Sequence, residues 1–187
     1  MSKPMQKFIE GVVNCIYRIT TGTKRVRLLL TPLFALVFFC VVIFLIVVSL
    51  SLDRFLELPE FAPKPFRIIL SLPLIIGGAF LWLWCVGKFF KTRGTPAPVN
   101  PPPKLVTDGP YAYSRNPMMT GLFMFMAGIG IFFGSITLTF FMTPFFVLMS
   151  ILEFKYIEEP ELEKRFGKVY TEYKEKIPII IPGSHRK

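Results

Sequence analysis

Four stretches of the chain are almost unbroken hydrocarbon, and their lengths set the first expectation. Leu28 to Leu50 is long enough, at about 1.5 Å per residue, to cross a bilayer core of roughly 30 Å. Ile68 to Phe90 predicts a second crossing. It ends in Trp82, Trp84, Phe89 and Phe90 beside Lys88 and Lys91, the mixture expected where a helix leaves the bilayer. Pro117 to Gly134 and Ile136 to Glu153 are each near the minimum for a span, and the uncharged Gly134-Ser135 between them predicts a tight helical hairpin. Within residues 1–27, Phe8, Ile9, Val12, Val13 and Ile16 recur at helical spacing, so Met5 to Tyr17 is either an interfacial helix or a fifth membrane helix.

The connections are polar or proline-rich. Residues 93–116 contain Pro96, Pro98 and Pro101 to Pro103, which remove donors, fix φ and exclude a regular helix. In the second half of this connector, Lys104-Leu105-Val106 reads as a short extended stretch and Asp108-Gly109-Pro110-Tyr111 as a turn before the third span. In residues 154–182, Glu158 to Lys176 is polar with a helical pattern that stops before Pro178, and Ile177 to Pro182 is apolar enough to rest on the membrane. The expected fold is an all-α integral membrane protein of four to five transmembrane helices, and residues 1–187 read as one membrane-embedded domain.

Composition supports the bilayer as solvent. Of 187 residues 52% are hydrophobic and only 18% charged, too few to cover a soluble domain of this size. No apolar core of a signal peptide precedes Leu28, so the first span reads as its own insertion signal. Arg54, Lys64 and Arg67 lie in or beside the loop after the first span. The rest of the 22 basic residues lie at the N-terminus, around the end of the second span and the mouth of the third, or after the fourth, which places both termini in the cytosol. The membrane is then the plasma membrane in a prokaryote or the endoplasmic reticulum in a eukaryote. The net charge of +10 reads as a topology signal and attraction to an anionic leaflet, not as a nucleic-acid surface. Cys15, Cys40 and Cys85 are far apart and give neither a disulfide framework nor a metal site, and the lone His185 sits in a short polar tail resembling disorder.

Candidate chemistry gathers at the cytosolic boundary. Arg115, at the mouth of the third span, either snorkels to lipid phosphates or turns inward to hold an anion. Glu153, Glu158 and Glu159 gain nothing from an anionic leaflet and need a cation. One reading is an ion pair of Glu158 or Glu159 with Arg115, Lys155 or Lys104. The other is a pocket in which these charges receive a zwitterionic cofactor. Gly109, with Tyr111 and Tyr113 behind it, can bring backbone near a flat ligand, although interfacial tyrosines need none. Gly77, Gly78, Gly121, Gly130 and Gly134 read as close helix packing.

Two ordered runs carry a resemblance. Leu105-Val106-Thr107-Asp108-Gly109-Pro110-Tyr111-Ala112-Tyr113-Ser114-Arg115-Asn116-Pro117-Met118 is followed by Glu158-Glu159-Pro160, then Phe166-Gly167-Lys168-Val169-Tyr170-Thr171-Glu172-Tyr173 and Ile177-Pro178. Together they resemble the isoprenylcysteine carboxyl methyltransferase and phospholipid methyltransferase group, in particular the short prokaryotic orthologues of the carboxyl methyltransferase. The similarity runs from about Pro96 to Pro182. It implies a helical membrane enzyme that binds S-adenosylmethionine without a Rossmann domain, and no Gly-rich strand-turn-helix fingerprint occurs here. It also implies a cofactor pocket, formed by the connector and C-terminal helix, at Pro103, Lys104, Leu105, Val106, Tyr111, Asn116, Pro117, Met118 and Met119. Glu158 or Glu159 would take the cofactor ammonium, Arg115 would orient the acceptor or the cofactor carboxylate, and Glu158 would be the base if the acceptor is an amine. The family often has histidine at the place of Asn116 and tyrosine at that of Met119, which weakens any proposal of an imidazole base.

The implied acceptor is lipophilic, most simply a prenylcysteine-like carboxylate. Attack of a carboxylate on a sulfonium methyl neutralises charge, so a water-poor boundary site favours it and no base is required. Three alternatives remain at this stage: a phospholipid N-methyltransferase, a relative of the membrane sterol reductases that share a similar Arg-His/Asn-Pro motif but bind a nicotinamide cofactor, and a non-enzymatic membrane protein.

Overall fold

Inside a hydrocarbon layer backbone donors and acceptors have only each other as partners, so long apolar sequence folds as helix. The computed structural model describes residues 3–97 and 99–180 and is all-α, with no strand among the described residues. In chain order it comprises α1 (Lys3–Thr20), α2 (Lys24–Phe55), α3 (Lys64–Lys91), a 3₁₀ turn (Gly109–Ala112), α4 (Pro117–Phe133), α5 (Thr143–Glu153), α6 (Glu159–Phe166) and α7 (Lys168–Lys176). A π segment, Thr137–Met142, leads into α5, and a second, Phe154–Glu158, joins α5 to α6. His185 and the end of the apolar tail, at residues 181 and 182, lie outside the described residues.

Among the described residues, Lys24–Phe55, Lys64–Lys91 and Thr137–Phe166 are long and apolar enough to cross a membrane, and Pro117–Phe133 is a shorter apolar helix. The 17 residues of α4 span only about 25 Å. The last long helix does not stop near Glu153 but continues to Phe166. Both of its prolines follow π segments: Pro144 comes two residues after the first and Pro160 two after the second. Proline lacks an N–H and crowds the carbonyl four residues back, and a wider turn accommodates it without ending the helix. The amphipathic α1 is not among the long apolar helices, as its Lys7, Glu10 and Arg18 are exposed. Nor does Lys104-Leu105-Val106 form a strand.

The chain divides into two compact units: residues up to 36, 86–115 and 150 onward form the first, and residues 37–85 and 116–149 the second. In the second, Val42, Leu122, Met126 and Leu138 make the buried core, with Phe38, Trp82 and Phe146 packed against it. Because lipid is as apolar as leucine, close packing rather than apolar burial holds such helices together. Gly78 and Gly121 show how close: a side chain at Gly78 would meet the Gly121 carbonyl at 2.5 Å and the Phe125 nitrogen at 2.7 Å. Leu29, in the first unit, and Phe44, Ile69 and Phe80, in the second, are exposed, as lipid-facing side chains are.

The expected hairpin after α4 is present. Gly134 closes α4 in the left-handed conformation, φ +67°, and a side chain there would run into the Arg67 guanidinium. Asp53, near the end of α2, then accepts hydrogen bonds from Ser135 Oγ, from Thr137 Oγ1 and from the Thr137 backbone at 3.0 Å. The carboxylate thereby satisfies donors that open the next helix.

In the first unit α1 packs against α6 and the π segment before it. Thr20 Oγ1 donates to Glu161 at 3.1 Å, Lys164 Nζ donates to Asn14 at 2.6 Å, and the same ammonium lies 4.4 Å from the centre of the Tyr17 ring.

Candidate functional site

The turn that precedes Arg115 is built from short-range rules. Pro110 sets φ for the 3₁₀ turn, and Gly109 takes φ +62°, where a side chain would meet Lys88 Cε at 2.8 Å. Lys88 pairs with Asp108, and hydrogen bonding to that ammonium holds the Asp108 carboxyl below its usual range. Tyr111 is buried with the Phe89 ring edge-on at 5.6 Å. The C-terminal segment is stitched onto this turn. Tyr173 Oη donates to the Tyr111 carbonyl at 2.6 Å, the Arg115 amide to the Pro178 carbonyl at 2.8 Å, and Ser114 Oγ to the Ile179 carbonyl at 2.7 Å.

These bonds leave the Arg115 side chain among buried charges. It is 8% exposed and pairs with Glu159, which is 3% exposed, while its guanidinium carbon lies 6.0 Å from the centre of the Phe154 ring. The other Glu159 oxygen is 2.6 Å from Lys174 Nζ, which also lies 2.9 Å from Glu163. Hydrogen bonding to Glu159 holds the Lys174 ammonium above its ordinary pKa. One buried carboxylate thus holds two cations, an arrangement that offsets the cost of taking these charges out of water. Tyr170 is 1% exposed. Burial, and then the nearby Glu159 charge, push its phenol pKa up, and a loose hydrogen-bonding contact from the Arg115 guanidinium, together with its charge, offsets part of that rise. Neither Tyr170 Oη nor Arg115 Nε makes a hydrogen bond of ordinary geometry.

Of the residues implied by resemblance, the structure brings Arg115 and Glu159 together. It therefore realises the ion-pair reading for that pair, with Lys174 where the sequence offered Lys155 or Lys104. Glu158 is half-buried, with no ion pair or hydrogen bond to its side chain among the described residues. Val106 is buried, Leu105 half-buried, and Pro103 and Lys104 exposed; Lys104 makes no ion pair among the described residues. These residues belong to the first unit. Asn116, Pro117, Met118 and Met119 open α4 in the second, where Asn116 Oδ1 accepts from the Met119 amide at 3.4 Å and Pro117 fills the first helical position.

Lys174 and Tyr170 carry contacts that the sequence assigned to neither. Tyr170 stands in the second motif, but nothing in that run says that its hydroxyl is buried. The pairing of Lys174 with Glu159 depends on the bend at Gly167, φ +57°, which breaks the helical register between them.

A family model described as phospholipid methyltransferase matches residues 66–169. The chain belongs to the phospholipid methyltransferase family. The matched stretch takes in Arg115, Glu158 and Glu159 and ends at Val169, one residue before Tyr170. The protein-S-isoprenylcysteine O-methyltransferase of Schizosaccharomyces pombe is 34% identical over 84 residues, 42% of this chain and 33% of that relative. The chain thus spans about a third of the length of the curated relative it matches. The resemblance read from the two ordered motifs is borne out.

Proposed function

We propose that the chain is an S-adenosylmethionine-dependent methyltransferase for a lipophilic acceptor, most simply a prenylcysteine-like carboxylate. The observation that carries this reading is the buried Arg115–Glu159 pair, with the partly exposed Lys174 on the second Glu159 oxygen, in a chain of a methyltransferase family. The available groups suit the aminoacyl end of the cofactor. Arg115 Nε is a buried donor without an acceptor, and Glu158 is a carboxylate without a cation. In this proposal Glu158 takes the ammonium and Arg115 the carboxylate, while Glu159, already holding two cations, fixes the Arg115 guanidinium. In this proposal Pro103, Lys104, Leu105, Val106 and Tyr111 line the cofactor, as the family motif implies.

Bound there, the cofactor would supply a sulfonium methyl group to an acceptor carboxylate and leave as the neutral thioether, S-adenosylhomocysteine. The chain's part is to hold the reactants at about 3 Å and to exclude water, and positioning of that kind supplies much of a rate. No base is needed for a carboxylate. The family description, phospholipid methyltransferase, favours a phospholipid acceptor as a second reading; if the attacking group is an amine, Glu158 receives its proton. The whole chain acts as one membrane-embedded domain with both termini in the cytosol, so the polar cofactor enters from water and the acceptor from the bilayer. The distribution of basic residues supports that orientation. The membrane is the plasma membrane in a prokaryote or the endoplasmic reticulum in a eukaryote.

Calorimetry on the purified protein in detergent tests the reading. Saturable binding of S-adenosylhomocysteine is expected. Its absence together with saturable binding of reduced nicotinamide dinucleotide phosphate overturns it in favour of a reductase, and binding of neither favours a non-enzymatic protein.

A further inference from the structure

Two buried polar atoms beside the Glu159 cluster are left without partners, and both are donors. Tyr170 is 1% exposed and the Arg115 side chain 8%, yet neither Tyr170 Oη nor Arg115 Nε makes a hydrogen bond of ordinary geometry; the phenol oxygen feels only a loose contact from the Arg115 guanidinium beside it, which leaves its own O–H free to donate. Buried donors are almost always satisfied, and one left unpaired is costly. Glu159 does not serve them, because its two oxygens are engaged by another guanidinium nitrogen of Arg115 and by Lys174. Two donors on neighbouring side chains fit a single anionic acceptor, and a guanidinium edge favours the planar oxygens of a carboxylate.

We propose that Tyr170 is a ligand-binding residue, its hydroxyl and the Nε–H of Arg115 together taking one carboxylate of a bound substrate. This rests on the methyl-transfer reading and adds to it a residue just beyond the family match. Both atoms are sealed from solvent, so the approaching ligand displaces protein now packed over them, and the bond formed there is stronger than at a surface. The carboxylate comes from one of two sources, the aminoacyl end of the cofactor or the acceptor.

The test uses full-length protein in lipid nanodiscs and the variant Tyr170→Phe, which keeps the ring beside Tyr173 at a centroid distance of 6.2 Å. Binding of S-adenosylhomocysteine and of 5′-methylthioadenosine, which lacks the aminoacyl end, is measured by calorimetry, and KM for N-acetyl-S-farnesylcysteine by turnover. If the cofactor supplies the carboxylate, S-adenosylhomocysteine weakens by about tenfold or more while methylthioadenosine is unchanged. If the acceptor supplies it, both affinities hold and KM rises by a similar factor. Tyr173→Phe, which loses its bonds to the Tyr111 and Ser114 carbonyls, is the control and changes the two nucleoside affinities by the same factor. Unchanged affinities and KM in Tyr170→Phe, or equal weakening of both nucleosides, overturn the inference alone. Wild-type protein that binds neither nucleoside overturns the methyl-transfer reading and this inference with it.

Discussion

Replacing Glu159 by glutamine keeps the shape of the side chain and removes its charge, leaving Arg115 and Lys174 without their common carboxylate. Breaking a buried ion pair by removing one partner costs about 3–5 kcal/mol. Arg115, 8% exposed, bears this fully, whereas Lys174, 36% exposed, keeps Glu163 and is partly solvated. The low end, about 3 kcal/mol, is therefore the expected loss. For a chain of this size each kcal/mol shifts the thermal midpoint by roughly 2–4 °C, so Glu159→Gln should unfold about 6–12 °C below wild type. Thermal unfolding in detergent, followed by tryptophan fluorescence, measures this. Glu163→Gln is the matched control: it also contacts Lys174 but is 42% exposed, and surface pairs contribute only about 0–1 kcal/mol. A midpoint shift below about 2 °C for Glu159→Gln, or equal shifts for both variants, would show that the Arg115–Glu159 pair does not hold this site together.

Glu158→Gln should weaken S-adenosylhomocysteine by about tenfold without lowering the thermal midpoint, since no ion pair is lost; calorimetry beside thermal unfolding checks both halves. Asp53→Ala removes the acceptor for Ser135 and Thr137, at about 2 kcal/mol, and should lower the midpoint by about 4–8 °C with no change in ligand affinity. Asp108 has a folded-state pKa below its unfolded value, so its pairing with Lys88 stabilises the fold above the unfolded pKa, about 3.9, and that contribution disappears as pH falls through the folded value. The stability difference between wild type and Asp108→Asn should therefore be constant from pH 6 to pH 8 and shrink below about pH 4, as chemical denaturation at each pH would show.

Local signals were sufficient for the long apolar helices and the hairpin. The apolar runs from Leu28 and Ile68 became α2 and α3, and Gly134 closes α4 because only a left-handed residue fits there. Hydropathy misjudged where the last helix ends, since the two π segments let Pro144 and Pro160 be absorbed where proline ordinarily signals a stop. The packing of α1 against α6, through Thr20 and Lys164, is something that periodicity does not encode. At the site, sequence offered several partners for the boundary glutamates, and Arg115 with Glu159 was among them. Lys174 was not, because its approach depends on Gly167. Asp53 and Thr137 lie 84 residues apart and meet only in the folded chain.

Transfer of a labelled methyl group from S-adenosylmethionine tests the central claim most directly, with purified protein in nanodiscs and N-acetyl-S-farnesylcysteine as acceptor. The account predicts label in the lipophilic product, released as methanol by mild alkali as from a carboxyl ester, and loss of that label in Glu158→Gln and Arg115→Ala. Equal label from wild type and both variants, or none from wild type with either this acceptor or an amine-headed phospholipid, would contradict it.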